Sequence, residues 1–146
     1  MSKLVETAKY IESVEHEDGW GQPAKLLVLD PAGLLAVIVF ENEDVYEALE
    51  VITPYHDAQF VAFVSEGWTY PKSLLDEYDS VESMESLYRT QPPSEHPQRK
   101  QVRNVIVCTK DDEAYVVRFE EGEEIDVMTR IDGRFPEQVR RIAGKT

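Results

Sequence analysis

The first 40 residues show a helical spacing of apolar positions followed by two strand-like runs. Residues 3–16 are predicted to form an amphipathic helix with Ser2 as its N-cap. The apolar runs 24–29 and 34–40 predict strands, and the turn-forming residues 30–33 between them predict a β-hairpin. The helical spacing is carried by Leu4, Ala8 and Ile11, with Val5 and Val14 nearby.

The central part of the chain predicts a helix followed by a strand that is buried on both faces. Asn42 is the predicted N-cap of a helix that ends before Pro54, because acidic residues follow it in the first turn. Residues 60–64 are apolar at every position, which is typical of a central strand. This strand is expected to continue toward Trp68.

Proline marks the next changes of structure. Pro71 is predicted at the first position of a helix, and residues 81–88 are predicted to add one or two helical turns. Residues 90–99 contain three prolines and predict an irregular connection inside one domain rather than a linker between two.

The C-terminal third has the clearest strand pattern. Residues 102–109, 114–120 and 123–131 are strand-like segments separated by polar turns, which predicts a three-stranded antiparallel meander. Within the second and third segments, apolar and polar positions alternate, so one face is predicted to be buried. A final helix is predicted to begin near Pro136 and to end at Gly144.

Length and composition predict a single α+β domain over residues 1–146. The chain has 146 residues, of which 42% are apolar, so it can bury a real core. We expect a mainly antiparallel sheet of five or six strands, packed by N-terminal, central and C-terminal helices. The charged N-terminus does not resemble a signal peptide, and no run approaches the roughly 18 apolar residues of a membrane span. We therefore expect a cytoplasmic protein without membrane contact.

The net charge of −14 is distributed unevenly. Residues 1–90 contain 18 acidic and 5 basic side chains, whereas residues 91–146 contain 11 and 10. Such an anionic field repels nucleic acid and attracts cationic partners, so direct nucleic-acid binding is not expected. Two basic clusters are interpreted as partners for the abundant acids or as charges that offset local repulsion: Arg99, Lys100 and Arg103, and then Arg130, Arg134, Arg140, Arg141 and Lys145.

Residues able to carry catalysis or to bind a metal form no recognisable arrangement. His16, His56 and His96 each adjoin an acidic residue, but no two of them have the spacing that places two ligands on one helix face. They are interpreted as surface histidines. Cys108 is the sole cysteine, which excludes a disulfide framework and a thiolate metal site. With neither a G-x-S-x-G turn nor a phosphate-binding glycine loop, the sequence predicts no metal, no cofactor and no catalytic residue.

Two tryptophans occupy similar positions at the ends of predicted elements. Trp20 and Trp68 each follow a glycine. Large amphipathic rings at such places either pack at the rim of a core or line a binding groove, and the sequence leaves both interpretations open.

Three short motifs follow one another along the chain: G-W-x-Q-P at residues 19–23, S-E-G-W at residues 65–68 and H-P-x-R-x-x-V-R at residues 96–103. In order and spacing they resemble a group of uncharacterised proteins found in actinobacteria and their bacteriophages. The resemblance covers roughly residues 10–120 and implies a bacterial or phage cytoplasm, but it implies no activity.

The motif residues also have a structural interpretation. Glu66 is expected to form an ion pair with Arg99 or Arg103, which would orient neighbouring strands. His96 and the proline after it are expected to fix the entry of a strand.

The sequence favours a non-enzymatic protein-interaction or accessory factor of a phage or actinobacterium. It would bind another protein through its acidic surface or its tryptophan-lined edge. One alternative is a nucleic-acid mimic, in which carboxylates on the first two predicted helices imitate phosphates. Another is a hydrolase or transferase with a pocket formed by Glu66, His96 and Arg99. A homodimer through the edge strand of the meander is a further possibility.

Overall fold

A single sheet organises the molecule. The computed structural model describes residues 3–41, 44–55, 57–78, 80–128, 130 and 133–145. Within these residues, six strands pair antiparallel in the order β2-β1-β3-β4-β5-β6, which confirms the predicted α+β class, strand number and meander. The strands are β1 (Ala24–Leu29), β2 (Leu35–Phe40), β3 (Phe60–Thr69), β4 (Lys100–Cys108), β5 (Glu113–Phe119) and β6 (Ile125–Met128). The helices are α1 (Lys3–Glu17), α2 (Val45–Glu50), α3 (Lys72–Leu75), α4 (Val81–Thr90) and α5 (Arg134–Ile142).

The starts of the helices differ from the predictions in detail. The predicted caps Ser2 and Asn42 lie outside the described residues. Asp44 caps α2, since its carboxylate accepts a hydrogen bond from the Glu47 N–H at 3.1 Å. Pro71 directly precedes α3 instead of occupying its first position.

The last strand is shorter than predicted. Residues 121–123 form a 3-10 turn, so β6 begins at Ile125 rather than at residue 123. Residues 129 and 131, which the sequence assigned to the same strand, lie outside the described residues. Helix α5 begins at Arg134, before Pro136, and Gly144 follows its end as predicted.

The hairpin between β1 and β2 is built by its turn residues. The Asp30 carboxylate accepts hydrogen bonds from the N–H groups of Ala32 and Leu34, each at 2.9 Å. Gly33 has a φ of +89°, a left-handed conformation that glycine adopts without steric cost. The turn fixes the register, in which Leu29 lies opposite Leu35.

The two faces of the sheet carry separate cores, because successive side chains of a strand point to opposite faces. On one face, Phe63 packs with α2 and α5, and its ring stacks on Phe135 with a centroid distance of 5.5 Å. On the other face, α1 packs on β4 and β5 through Ala8 and Ile11. In the part of the chain that the structure describes, no helix has the length and apolar character needed to cross a membrane.

Cys108 belongs to the core on the α2–α5 face and is fully buried. Burial, together with the nearby Glu113 carboxylate, raises the pKa of its thiol to about 12. The side chain therefore remains a protonated, apolar packing group at neutral pH.

Candidate interaction surface

A buried ionic cluster lies between α1 and the sheet, with Arg103 at its centre. Arg103 is fully buried and pairs with Glu12 of α1 at 3.0 Å and with Glu66 of β3 at 2.9 Å. Glu66 lies directly opposite Arg103 in the β3–β4 register, so both side chains are on the α1 face. The predicted ion pair of Glu66 is confirmed, with Arg103 rather than Arg99 as its partner.

The Gly-Trp-Gly segment after α1 closes over this pair. The Gly19 carbonyl accepts a hydrogen bond from the Arg103 guanidinium at 2.8 Å, and the Gly21 N–H donates to the Glu66 carboxylate at 2.8 Å. The half-buried ring of Trp20 lies against the same guanidinium, 4.5 Å from ring centroid to Cζ. The first two motifs therefore meet the last arginine of the third motif, and Trp20 packs at the rim of a buried cluster.

The two described histidines, His16 and His96, both make specific contacts, and one of them is buried. The His16 Nδ1 lies 3.2 Å from Arg103, and because a guanidinium only donates, Nδ1 is the acceptor. His96 is buried. The surface interpretation is therefore wrong for His96, His16 is half-buried, and His56 lies outside the described residues. Among the described residues, no group of three His, Cys, Asp or Glu side chains is placed to hold a metal ion.

Glu12 joins two arginines and is itself fully buried. Besides Arg103, it pairs with Arg118 of β5, whose guanidinium approaches both of its carboxylate oxygens at 2.7 Å. Burial alone raises the pKa of Glu12, but the hydrogen bonds and charges of Arg118 and Arg103 outweigh it and lower the pKa below its ordinary value. We call Glu12, Glu66, Arg103 and Arg118 the Arg103 cluster.

The lowered pKa of Glu12 predicts a loss of stability in acid. A carboxyl whose pKa is lower in the folded state than in the unfolded state stabilises the fold above its unfolded pKa and loses that contribution as the pH falls through the folded pKa. The free energy of unfolding of the wild type should therefore exceed that of Glu12→Gln at neutral pH. The difference should shrink below the ordinary glutamate value of 4.5.

Urea unfolding of both proteins between about pH 7 and about pH 3 measures this difference. The comparison isolates Glu12 because every other carboxyl is common to the two proteins. A difference that stays constant over this range would contradict the assigned direction.

A second arginine–tryptophan pair lies further along β3. Arg99 covers the ring of Trp68 at 4.5 Å and donates a hydrogen bond to the His96 carbonyl at 3.2 Å. The His96 Nδ1 accepts from the Gln98 N–H at 3.0 Å, and its ring meets Tyr70 edge to face. These contacts hold the entry to β4, the role expected for His96. Trp68 keeps 42% of its surface exposed.

The pocket required by the enzymatic alternative is not formed by these contacts. Glu66 bonds to Arg103 and Gly21, and it makes no hydrogen bond or ion pair with His96 or Arg99. The structure thus divides the six predicted site residues between two places. Trp20, Glu66 and Arg103 lie in the buried cluster, whereas Trp68, His96 and Arg99 lie at the start of β4.

The row of carboxylates that a nucleic-acid mimic needs is interrupted on α1. Glu12 and Glu15 are buried, the latter in an ion pair with Lys25 at 2.7 Å. Of the four acids in this helix, Glu6 and Glu17 remain exposed. Helix α1 therefore does not present the continuous row of exposed carboxylates that the mimicry alternative requires.

Three of the five C-terminal basic residues of the second cluster pair with an acid, as the sequence suggested. Glu113 of β5 contacts Arg130 at 3.2 Å, Arg140 at 3.3 Å and Lys145 at 3.8 Å. Arg140 also donates to the Tyr115 hydroxyl at 2.8 Å and at 3.0 Å. This group ties the end of α5 to β5.

An apolar groove runs between α1 and the edge of the sheet at β1 and β2. Helix α1 lies over β4 and β5, which leaves the side chains of β1 on the same face half-buried and those of β2 exposed. The groove has a volume of about 520 Å³, and its lining includes Tyr10 and Val14, which are 69% and 43% exposed. We call it the α1–β2 groove. Its apolar lining consists of Tyr10, Ile11, Val14, Leu27, Leu35 and Phe60.

The groove and the Arg103 cluster are interpreted from their geometry alone, because known proteins provide no guide. No protein-family model, no curated protein and no solved structure matches this chain.

Proposed function

We propose that this protein is a non-enzymatic interaction factor that binds a partner polypeptide in the α1–β2 groove. The observation that carries the proposal is the open apolar floor of the groove and its continuation along β2: Leu35 lines the groove, and Val37 and Val39 on the same face of the strand are also exposed. Contiguous exposed apolar surface is uncommon on monomeric proteins and marks interaction sites. The groove thus replaces the tryptophan-lined edge as the preferred contact surface.

The chemistry of the groove favours a basic amphipathic segment as its occupant. Apolar residues of such a segment would fill the floor, in the manner of a helix bound in a hydrophobic groove. Glu6 is the exposed carboxylate of the lining, since Glu15 is held by Lys25. The net charge of −14 draws cationic partners toward this surface. We propose a partner from the actinobacterial or phage cytoplasm, the setting that the resemblance of the three motifs implies.

Affinity capture from an actinobacterial lysate tests the proposal with two matched variants. Val14→Lys places a charge in the groove, whereas Val81→Lys adds the same charge at a valine of α4 that is 75% exposed and lies outside the groove. We expect wild type and Val81→Lys to retain the same protein and Val14→Lys to retain at least about tenfold less of it.

Salt provides the second measurement in the same experiment. Retention should fall as the salt concentration rises, because the attraction between the acidic surface and a cationic partner is screened. Equal retention by Val14→Lys and wild type, or the capture of no protein at either salt concentration, would contradict the proposed function.

A further inference from the structure

The backbone of β2 has one unpaired edge, and the hairpin shows which residues form it. The Asp30 N–H donates to the Leu34 carbonyl at 2.9 Å, so residues 30 and 34 form a hydrogen-bonded pair. Such pairs alternate along an antiparallel ladder, so Ala36, Ile38 and Phe40 direct their N–H and C=O groups toward β1. The N–H and C=O groups of Leu35, Val37 and Val39 therefore point outward, and of the described strands only β1 pairs with β2.

This edge lacks the features that normally prevent association. Edge strands are usually protected by charged residues, prolines or bulges. Residues 34–40 contain no charged residue and no proline, and residues 35–39 are all exposed. The opposite edge of the sheet, β6, has four residues and includes Asp126. The edge at β2 is therefore the better template for another strand, although the sequence had pointed to the meander edge.

We propose that a second copy of this chain pairs with β2 as an antiparallel strand, with Val37 opposite Val37 across a two-fold axis. Residues directly opposite in an antiparallel pair share a face, so Leu35 meets Val39 of the second copy and the outward groups of both strands bond to each other. In this register every residue from 34 to 40 meets an uncharged residue. A register shifted by two residues would instead place Glu41 opposite Leu35.

Charge favours a second copy over a different protein at this edge. Two chains of net charge −14 repel each other wherever carboxylates meet, and residues 31–40 are a stretch without any charge. The backbone edge of this strand has no carboxylate for a cationic partner to pair with, so the acidic field gives such a partner no preference for the edge over the groove. The two-fold axis is perpendicular to the sheet, so both α1 helices lie on one face and the two α1–β2 grooves adjoin. The edge uses backbone groups, and the pairing does not require the groove to be occupied.

Sedimentation of the purified full chain from roughly 1 µM to roughly 1 mM tests the pairing. We expect a reversible dimer. Val37→Pro removes an outward N–H and no bond to β1, so it should fold like the wild type and dimerise at least about tenfold more weakly. Val37→Thr keeps the N–H and serves as its control. A monomer at every concentration, or equal dimerisation of Val37→Pro and wild type, would overturn the proposal.

Cysteine cross-linking tests the register even if Val37→Pro folds poorly. In a hydrogen-bonded antiparallel pair the Cα atoms are about 5.5 Å apart, within the range of a disulfide, so Val37→Cys should link two chains on mild oxidation. Val39→Cys residues would lie roughly 14 Å apart and should not link. Cys108 is buried and contributes no background. Linking through residue 39 instead of residue 37 would overturn the register.

The failures of the two proposals are distinguishable. If the chain is monomeric but Val14→Lys selectively loses a captured protein, the dimer is overturned and the proposed function stands. If the dimer forms and no protein is captured, the proposed function is overturned and the pairing at β2 stands.

Discussion

Arg103→Ala is expected to lower the free energy of unfolding by about 3–5 kcal/mol, the cost of removing one partner from a buried ion pair. The reason is that two carboxylates remain buried without this partner. Glu12 is fully buried and Glu66 nearly so, and without Arg103 both would keep their negative charge with fewer donors around them. The carbonyl of Gly19 and the ring of Trp20 would lose their contacts with the guanidinium as well.

Chemical denaturation of Arg103→Ala measures this loss, and Arg99→Ala is its matched control. Both arginines cover a tryptophan at 4.5 Å, but Arg99 is an exposed residue and lies outside the ionic cluster. The control should change the free energy of unfolding by no more than about 1 kcal/mol. Equal losses in the two variants would show that the contact with the tryptophan ring, and not the buried charge, accounts for the lost stability.

Phe63→Ala is expected to cost a similar amount, about 3–5 kcal/mol, for a different physical reason. Phe63 has no exposed surface, its ring stacks on Phe135, and it meets the ring of Phe40 edge to face. Removal of the ring leaves a cavity between β3 and the helices on that face, and the sheet cannot move to fill it because β3 is paired on both sides.

Equilibrium unfolding in guanidinium chloride measures this cost, with Tyr88→Ala as the control. Tyr88 is an aromatic residue of α4 that is 62% exposed, so its removal should change the free energy of unfolding by less than about 0.5 kcal/mol. A small loss in Phe63→Ala would mean that the core on the α2–α5 face collapses around the missing ring.

The elements that the sequence predicted well are those defined by local chemistry. The turn at residues 30–33 contains aspartate, proline and glycine, and their conformational preferences dictate a hairpin wherever it lies in the fold. Glu66 was expected to pair with Arg99 or Arg103, and the structure places it opposite Arg103.

The position of a strand within the sheet lies beyond such local signals. Residues 34–40 are apolar at every position, a pattern typical of a central strand that is buried on both faces. The pattern gives no sign that this strand lies at the edge of the sheet. Only the insertion of β1 between β2 and β3 makes it an edge. The α1–β2 groove depends on this order and was therefore missed.

The burial of Glu12 did have a sequence signal. Glu12 and Glu15 lie four and seven residues after Ala8, on the same helix face as the apolar residues that were predicted to pack. A carboxylate on such a face needs a basic partner. The sequence does not identify that partner, since Arg103 and Arg118 are two of ten basic residues in its last 56 positions.

The Arg103 cluster also orders events during synthesis of the chain. Glu12 is 91 residues before Arg103 and 106 residues before Arg118. Helix α1 is among the first segments to leave the ribosome, yet the charges that hold it against the sheet are translated near the end. At about 5–20 residues per second, helix α1 waits several seconds before the arginines that pair with Glu12 are synthesised. Glu12 can therefore pair with both arginines only after β5 has been synthesised, and a nascent chain that stops before β4 contains neither of them.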